Sequence, residues 1–149
     1  MKAEDIMTKD VITTGPDVLL KKAIKKLLVN EISSMPVVDD TGKMVGIISC
    51  EDILNLAFDG YLSNTKVETV MTKNVVYFKP DTNLEEIALA ISKNHFHRVP
   101  IIEDGRIVGI VSRRDIVKKI FKEYSRIFHF LVNIFMIYLY LETATAIEG

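Results

Sequence analysis

Two stretches of this 149-residue chain carry chemically capable side chains at matched spacing. Gly46 to Asp52 reads GIISCED and Gly109 to Asp115 reads GIVSRRD: a glycine, two β-branched residues, a serine, two variable positions and an aspartate. In each, serine and aspartate stand three apart where an apolar strand-like run gives way to helical spacing. One reading makes Ser49 and Ser112 helix N-caps, with Asp52 and Asp115 in the first turn, where the helix dipole favours a carboxylate. A second turns the same groups toward a ligand, because a helix start also offers N–H donors to an anion. The two readings are compatible. His97 and Arg98 precede the strand beginning at Val99, where the first half of the chain has Ser33 and Ser34. Arginine grips phosphate with two parallel bonds and histidine donates from a ring nitrogen. Cys50 sits at a helix start, where cysteines can gain reactivity, although a plain small residue is the simpler account.

Composition narrows the classes. The chain is 48% hydrophobic and 26% charged, ordinary for a globular protein with one sizeable core. A single cysteine excludes an internal disulfide, and with three scattered histidines it excludes a Cys/His zinc cage of the usual spacing. The opening MKAEDIMTKD has no apolar run and does not read as a secretory signal, so a reducing, cytoplasmic setting is expected. Neither a nucleophile with a base at a recognisable spacing nor a GxxxxGKS phosphate loop occurs, so no catalytic residue, metal site or obligatory cofactor is expected. Charge is uneven. Residues 1–64 hold 7 basic and 10 acidic groups, residues 65–126 hold 12 and 8, and the second stretch is better placed to meet an anion.

The elements that must position these groups come from an internal repeat. A shift of 64 residues sets EDIMTKDVITTGPDVLL on ETVMTKNVVYFKPDTNL, and beyond a one-residue gap GKMVGIISCEDIL falls on GRIVGIVSRRDIV. Eighteen of 50 aligned pairs are identical, enough to make these two copies of one structural unit. Each copy predicts a short strand (Val11 to Thr13, Val75 to Tyr77) and a helix (from Leu20, from Leu84). A hairpin and a final helix follow, from Glu51 toward Phe58 and from Arg114 toward Tyr124. Thr82 with Glu85 fits a capping box, and Asp104-Gly105 is a hairpin-turn signal. A unit of about 50 residues is small for an independent core, so the copies should pack together.

The IMT and VMT openings, the prolines at 16, 80, 36 and 100, and the GIISCED and GIVSRRD phrases make the chain resemble a tandem pair of CBS (cystathionine-β-synthase-type) domains, a Bateman module of the stand-alone archaeal or bacterial kind. The resemblance covers residues 1–122 and implies an α+β fold: two β-α-β-β-α repeats packed with pseudo-two-fold symmetry. A C-terminal apolar helix is added here. The expected divisions are repeat 1 over 1–60, a linker over 61–66, repeat 2 over 67–124, and an apolar helix and tail over 125–149.

The resemblance further implies a regulatory protein, not an enzyme. It would bind AMP, ADP, ATP or S-adenosylmethionine in clefts between the repeats and signal by conformational or oligomeric change, as a homodimer or higher homo-oligomer acting on a regulated protein. The motif carboxylates would then accept from ribose hydroxyls. In members that sense adenine nucleotides a similar His-Arg pair touches phosphate. One cleft is accordingly expected to use His97, Arg98, Ser112 and Asp115, with Ile32, Ser33, Asp10 and Val11 forming the adenine slot. The other would use Ser49 and Asp52, with Val75, Phe96 and His97 around the base; having Ser34 where the first has an arginine, it is expected to take a less charged ligand or none.

Two features fall outside the resemblance. Lys21, Lys22, Lys25 and Lys26, and the basic residues of the last helix, could track a nucleic-acid backbone, although solvated helix faces explain them as well. Ile127 to Leu141 is uncharged, interrupted only by the polar His129 and Asn133. It is shorter than the roughly 20 residues that span a bilayer and too apolar for a free surface helix. An oligomer-building or partner-binding helix is expected. Membrane attachment aided by the basic stretch Lys118 to Arg126, with peripheral localisation, and packing on its own domain are the alternatives. His129 and Asn133, four apart, suit an interhelical hydrogen bond better than a metal.

Overall fold

A computed structural model describes residues 1–57 and 63–148. The chain divides into two compact units, Met1–Arg113 and Arg114–Gly149.

Within the first unit each repeat is built around a helix and a hairpin. Helix α2 (Leu20–Val29) buries Leu20, Ala23 and Leu27 and leaves Lys21, Lys22, Lys25 and Lys26 exposed, the amphipathic pattern of a helix lying on a core. Its counterpart α5 (Leu84–Asn94) buries Leu84, Ile87 and Ile91 at the same spacing. Strands β1 (Ser34–Val38) and β2 (Met44–Ser49) pair antiparallel with Ser34 opposite Ser49; β3 (Arg98–Glu103) and β4 (Arg106–Ser112) do so with Arg98 opposite Ser112. The β3–β4 turn uses Asp104 and Gly105, both at positive φ, as an Asp-Gly turn requires. Leu20, Ala23, Leu27, Met35, Val37 and Ile48 form one buried cluster, joined by Val67 from the second repeat.

The origin of Val67 is the main departure from a simple tandem of units. Helix α1 (Ala3–Ile6) opens the first repeat, yet Ala3 and Glu4 donate to the carbonyls of Thr82 and Pro80 at 2.9 Å, and Thr8 exchanges backbone hydrogen bonds with Ile110. Helix α4 (Val67–Val70) opens the second repeat and makes the equivalent bonds to the first: Val67 to Val18, Glu68 to Pro16, and Thr72 with Ile47. Each opening thus covers the hairpin edge of the other copy, which removes an exposed sheet edge. The glycine of the motif permits this approach. A Cβ on Gly46 would lie 2.8 Å from the Met71 sulfur and 2.8 Å from the Thr72 carbonyl oxygen, and Gly109 is pressed in the same way by Met7.

Three local expectations change. The first strands at Val11 to Thr13 and Val75 to Tyr77 reduce to single parallel bridges one residue later, Thr14 with Val37 and Phe78 with Ile101, because the prolines that follow leave no further donors in register. The Thr82–Glu85 capping box does not form: Asn83 is the N-cap of α5, without a side-chain bond, and the Thr82 hydroxyl accepts from the Lys79 amide at 3.1 Å instead. The final helix of the second repeat, α6 (Arg113–Glu148), runs unbroken for 36 residues where a separate tail helix from 125 was expected. In the first repeat the final helix is α3 (Cys50–Ala57). Residues 61 and 62 of the expected linker lie outside the described residues; at its other end Thr65 and Lys66 are anchored at the start of α2, the Leu20 amide donating to the Thr65 carbonyl at 2.8 Å.

Candidate functional site

A cavity of about 280 Å³ opens in the first unit, just below the roughly 300–1,000 Å³ typical of small-molecule sites. Three walls enclose it. Ser33 and Ser34 before and at the start of β1, Ile47 and Ser49 of β2, and Cys50, Glu51 and Asp52 of α3 form the first. Thr72, Asn74, Val75 and Val76, the segment that follows α4, form the second. The third is the turn from α5 into β3: His95, Phe96, His97, Arg98 and Val99. His95 holds the left-handed conformation (φ 57°) that ends α5, and the Phe96 amide closes on the Ile91 carbonyl.

The start of α3 is wired in both directions. Asp52 Oδ2 accepts from the Ser49 amide and from Ser49 Oγ, each at 2.9 Å, while the Asp52 amide donates back to Ser49 Oγ at 3.2 Å. This reciprocal cap is the structural reading of the serine-aspartate motif realised in full. Asp52 Oδ1 additionally accepts from Thr72 Oγ1 at 3.2 Å, a bond that crosses from the first repeat to the exchanged opening of the second. The carboxylate is therefore held at a fixed angle on the cavity wall, and an ionised carboxylate has about four acceptor positions with which to meet further donors. The same cavity offers a guanidinium at Arg98, imidazoles at His95 and His97, and apolar surface at Val75, Val76 and Phe96. Such a set suits a ligand with vicinal hydroxyls, a flat ring and an anionic end.

Seven of the residues expected from sequence meet at this cavity. Ser33, Ser49, Asp52, Val75, Phe96, His97 and Arg98 all line this one cavity. Arg98, expected with Ser112 and Asp115, stands opposite Ser112 in the β3–β4 ladder and also lines this cavity beside the Ser49 motif. The physical reason is register. Arg98 begins β3 at the mouth of the α5–β3 turn, and that turn faces the α3 start of the other repeat. Ser112 ends β4 opposite Arg98. Asp10, Val11 and Ile32, expected in the other cleft, do not line this one, and Ile32 packs on the buried cluster of the first repeat. Asp115 belongs to the second unit. Thr72 and Asn74 were missed by sequence reasoning. The Met-Thr pair retained at 7–8 and 71–72 was the available signal, but only the exchange shows that it reaches the other copy's motif. Among the described residues no group of three or more His, Cys, Asp or Glu is placed to hold a metal ion.

The sequence model of the CBS domain matches twice, over residues 3–59 and 67–122. The chain belongs to the CBS-domain family. The two matched segments form one CBS pair, a Bateman module. Its relatives include the inosine-5'-monophosphate dehydrogenase of Methanocaldococcus jannaschii, 40% identical over 119 residues, which are 79% of this chain and 23% of that protein. The chain likewise spans only 41% and 43% of two uncharacterized proteins of that organism. Among solved structures, the CBS domain pair of protein MJ0100, in complex with 5'-methylthioadenosine and S-adenosyl-L-methionine, superposes with a TM-score of 0.74 at 31% identity, covering 83% of this chain and 98% of that one. CBSX2 in complex with AMP gives 0.76 at 26% identity, with 83% and 98% covered.

Proposed function

We propose that this CBS pair is a regulatory module that binds an adenosine-containing ligand in the cavity between Ser49, Thr72 and Arg98. In this reading the Asp52 carboxylate accepts from ribose hydroxyls, Val75 and Phe96 flank the base, and Arg98 with His97 meets phosphate or another charged end. The observation that carries it is the convergence of Asp52, Arg98 and the Val75–Phe96 surface on one cavity of nucleoside size. The ligands held by the two solved neighbours, AMP in one and 5'-methylthioadenosine with S-adenosyl-L-methionine in the other, support the same class. The module carries occupancy to a regulated protein by a change of conformation or assembly, not by catalysis. Thr72 is suited to that role, because a ligand that draws on Asp52 competes with a bond joining the two repeats.

The test is calorimetric titration of the full chain with AMP, ATP and S-adenosylmethionine in parallel. Saturable heat with at least one of them, accompanied by a raised melting temperature, is expected. Absence of both effects with all three would overturn the reading and leave the motif as a helix cap.

A further inference from the structure

Among the described residues, the most extensive exposed apolar surface lies on α6. From Val117 to Leu141 its large apolar side chains are 39% to 72% exposed, far more than a free helix sustains in water. Their spacing is regular. Val117, Ile120, Tyr124 and Ile127 are separated by three, four and three residues, and Leu131, Ile134, Tyr138 and Leu141 continue the alternation unbroken. That fills the a and d positions of more than three successive heptads, the pattern of a helix that packs along a seam. The polar groups keep to the other side: Lys118, Lys119, Lys122, Arg126, His129 and Asn133 all fall at b, c and f. His129 carries this polar stripe on as far as Asn133; Val132, Met136, Leu139 and Tyr140 make the outer positions of the last turns apolar.

The pattern discriminates between occupants. By length and composition α6 is long and apolar enough to cross a bilayer. Lipid, however, would surround every face, and roughly 30 Å of hydrocarbon laid over the charge-free run of about 22 Å from Ile127 to Leu141 would take in His129 and Asn133 together with a flanking charge at Arg126 or Glu142. A second copy of α6 covers the face that the heptad marks and leaves the stripe from Lys118 to Asn133 in water. The eight seam residues are 49% to 67% exposed. At roughly 100 Å² each they supply about 800 Å² a side, the size of a standard stable interface. Phe121, Phe128, Phe130, Phe135 and Ile137 extend the apolar face to e and g positions, wider than a two-stranded seam uses. Glu123, the charged exception at g, is engaged within its own helix by Lys119 at 3.3 Å and Arg126 at 3.6 Å. We propose that copies of this chain assemble through the Val117–Leu141 face of α6 into a bundle of three or more helices, with the basic stripe outward.

The experiment is light scattering and sedimentation of the full chain in detergent-free buffer, with seam and outer-face variants compared. Leu131→Glu with Ile134→Glu is expected to lower the assembled mass, whereas His129→Glu with Asn133→Glu on the outer face leaves it unchanged. Leu131→Ala, which keeps the helix uncharged, is expected to shift the concentration midpoint of assembly by about tenfold or more. Seam variants with the mass of the wild type overturn the proposal. So does equal disruption by seam and outer-face pairs, or a chain that stays in solution only with detergent and floats with phosphatidylcholine vesicles; those results mean that lipid covers the helix.

Discussion

Replacing Asp52 separates its two roles, because the cap and the cavity draw on the same carboxylate. Asp52→Ala removes both acceptor bonds to Ser49 and the bond from Thr72. Ser49→Ala removes the hydroxyl half of the cap but leaves the carboxylate in place. Each loss is worth about 1 kcal/mol of stability, with up to about 1 kcal/mol more for the charge that Asp52 places in the first turn of α3. For a domain of this size, that lowers the melting temperature by roughly 4 °C per kcal/mol. Binding should respond differently. A hydrogen bond to a charged group contributes about 1.5–3 kcal/mol, so losing two bonds to a ribose weakens affinity by about 100-fold or more. Ser49→Ala should keep the dissociation constant within about threefold of the wild type, under 1 kcal/mol. Thermal melts and calorimetry with whichever of AMP, ATP and S-adenosylmethionine binds the wild type make the comparison. If both variants lose affinity in step, or Asp52→Ala binds as the wild type does, the carboxylate is a cap and nothing more.

Three further outcomes are expected. Gly46→Ala forces a methyl against the Met71 sulfur and the Thr72 backbone, so urea unfolding should show a loss of about 1–3 kcal/mol, and a cost within about 0.5 kcal/mol would mean that the exchanged segment is loosely held. Cys50, the chain's single cysteine, is exposed and lines the cavity, so a saturating ligand should slow its alkylation; an unchanged rate would place the ligand elsewhere. In the β1–β2 turn the Thr41 hydroxyl, with the Lys43 and Thr41 amides, holds the Asp39 carboxyl below its ordinary pKa. Since a lowered native pKa adds stability above the ordinary value and loses it as pH falls through the lowered one, Thr41 and Lys43 amide protection should drop on acidification. An NMR titration should show Thr41→Val moving the Asp39 midpoint upward, and an unmoved midpoint would refute the assignment.

Much of this protein was legible in its residues, because the deciding interactions are local. Leu20, Ala23 and Leu27 announce a helix face at a spacing no strand tolerates, Asp104-Gly105 supplies the positive φ values of a tight hairpin, and Ser49 with Asp52 closes a cap within four residues. The repeat extended each reading from one copy to the other. Local competition already defeated one expectation, since the Thr82 hydroxyl had a nearer donor in the Lys79 amide than in the helix it was expected to cap. The tertiary structure alone decided which copy each opening serves. Thr8 and Thr72 meet the other copy's hairpin through a single bridge, and one bridge between distant residues leaves no periodicity to read. That exchange puts Thr72 on Asp52 and helps close a cavity that also takes in Arg98. Residue types therefore determined what chemistry was available, while its gathering into one cavity rests on contacts made across the chain, where sequence spacing carries no geometric information.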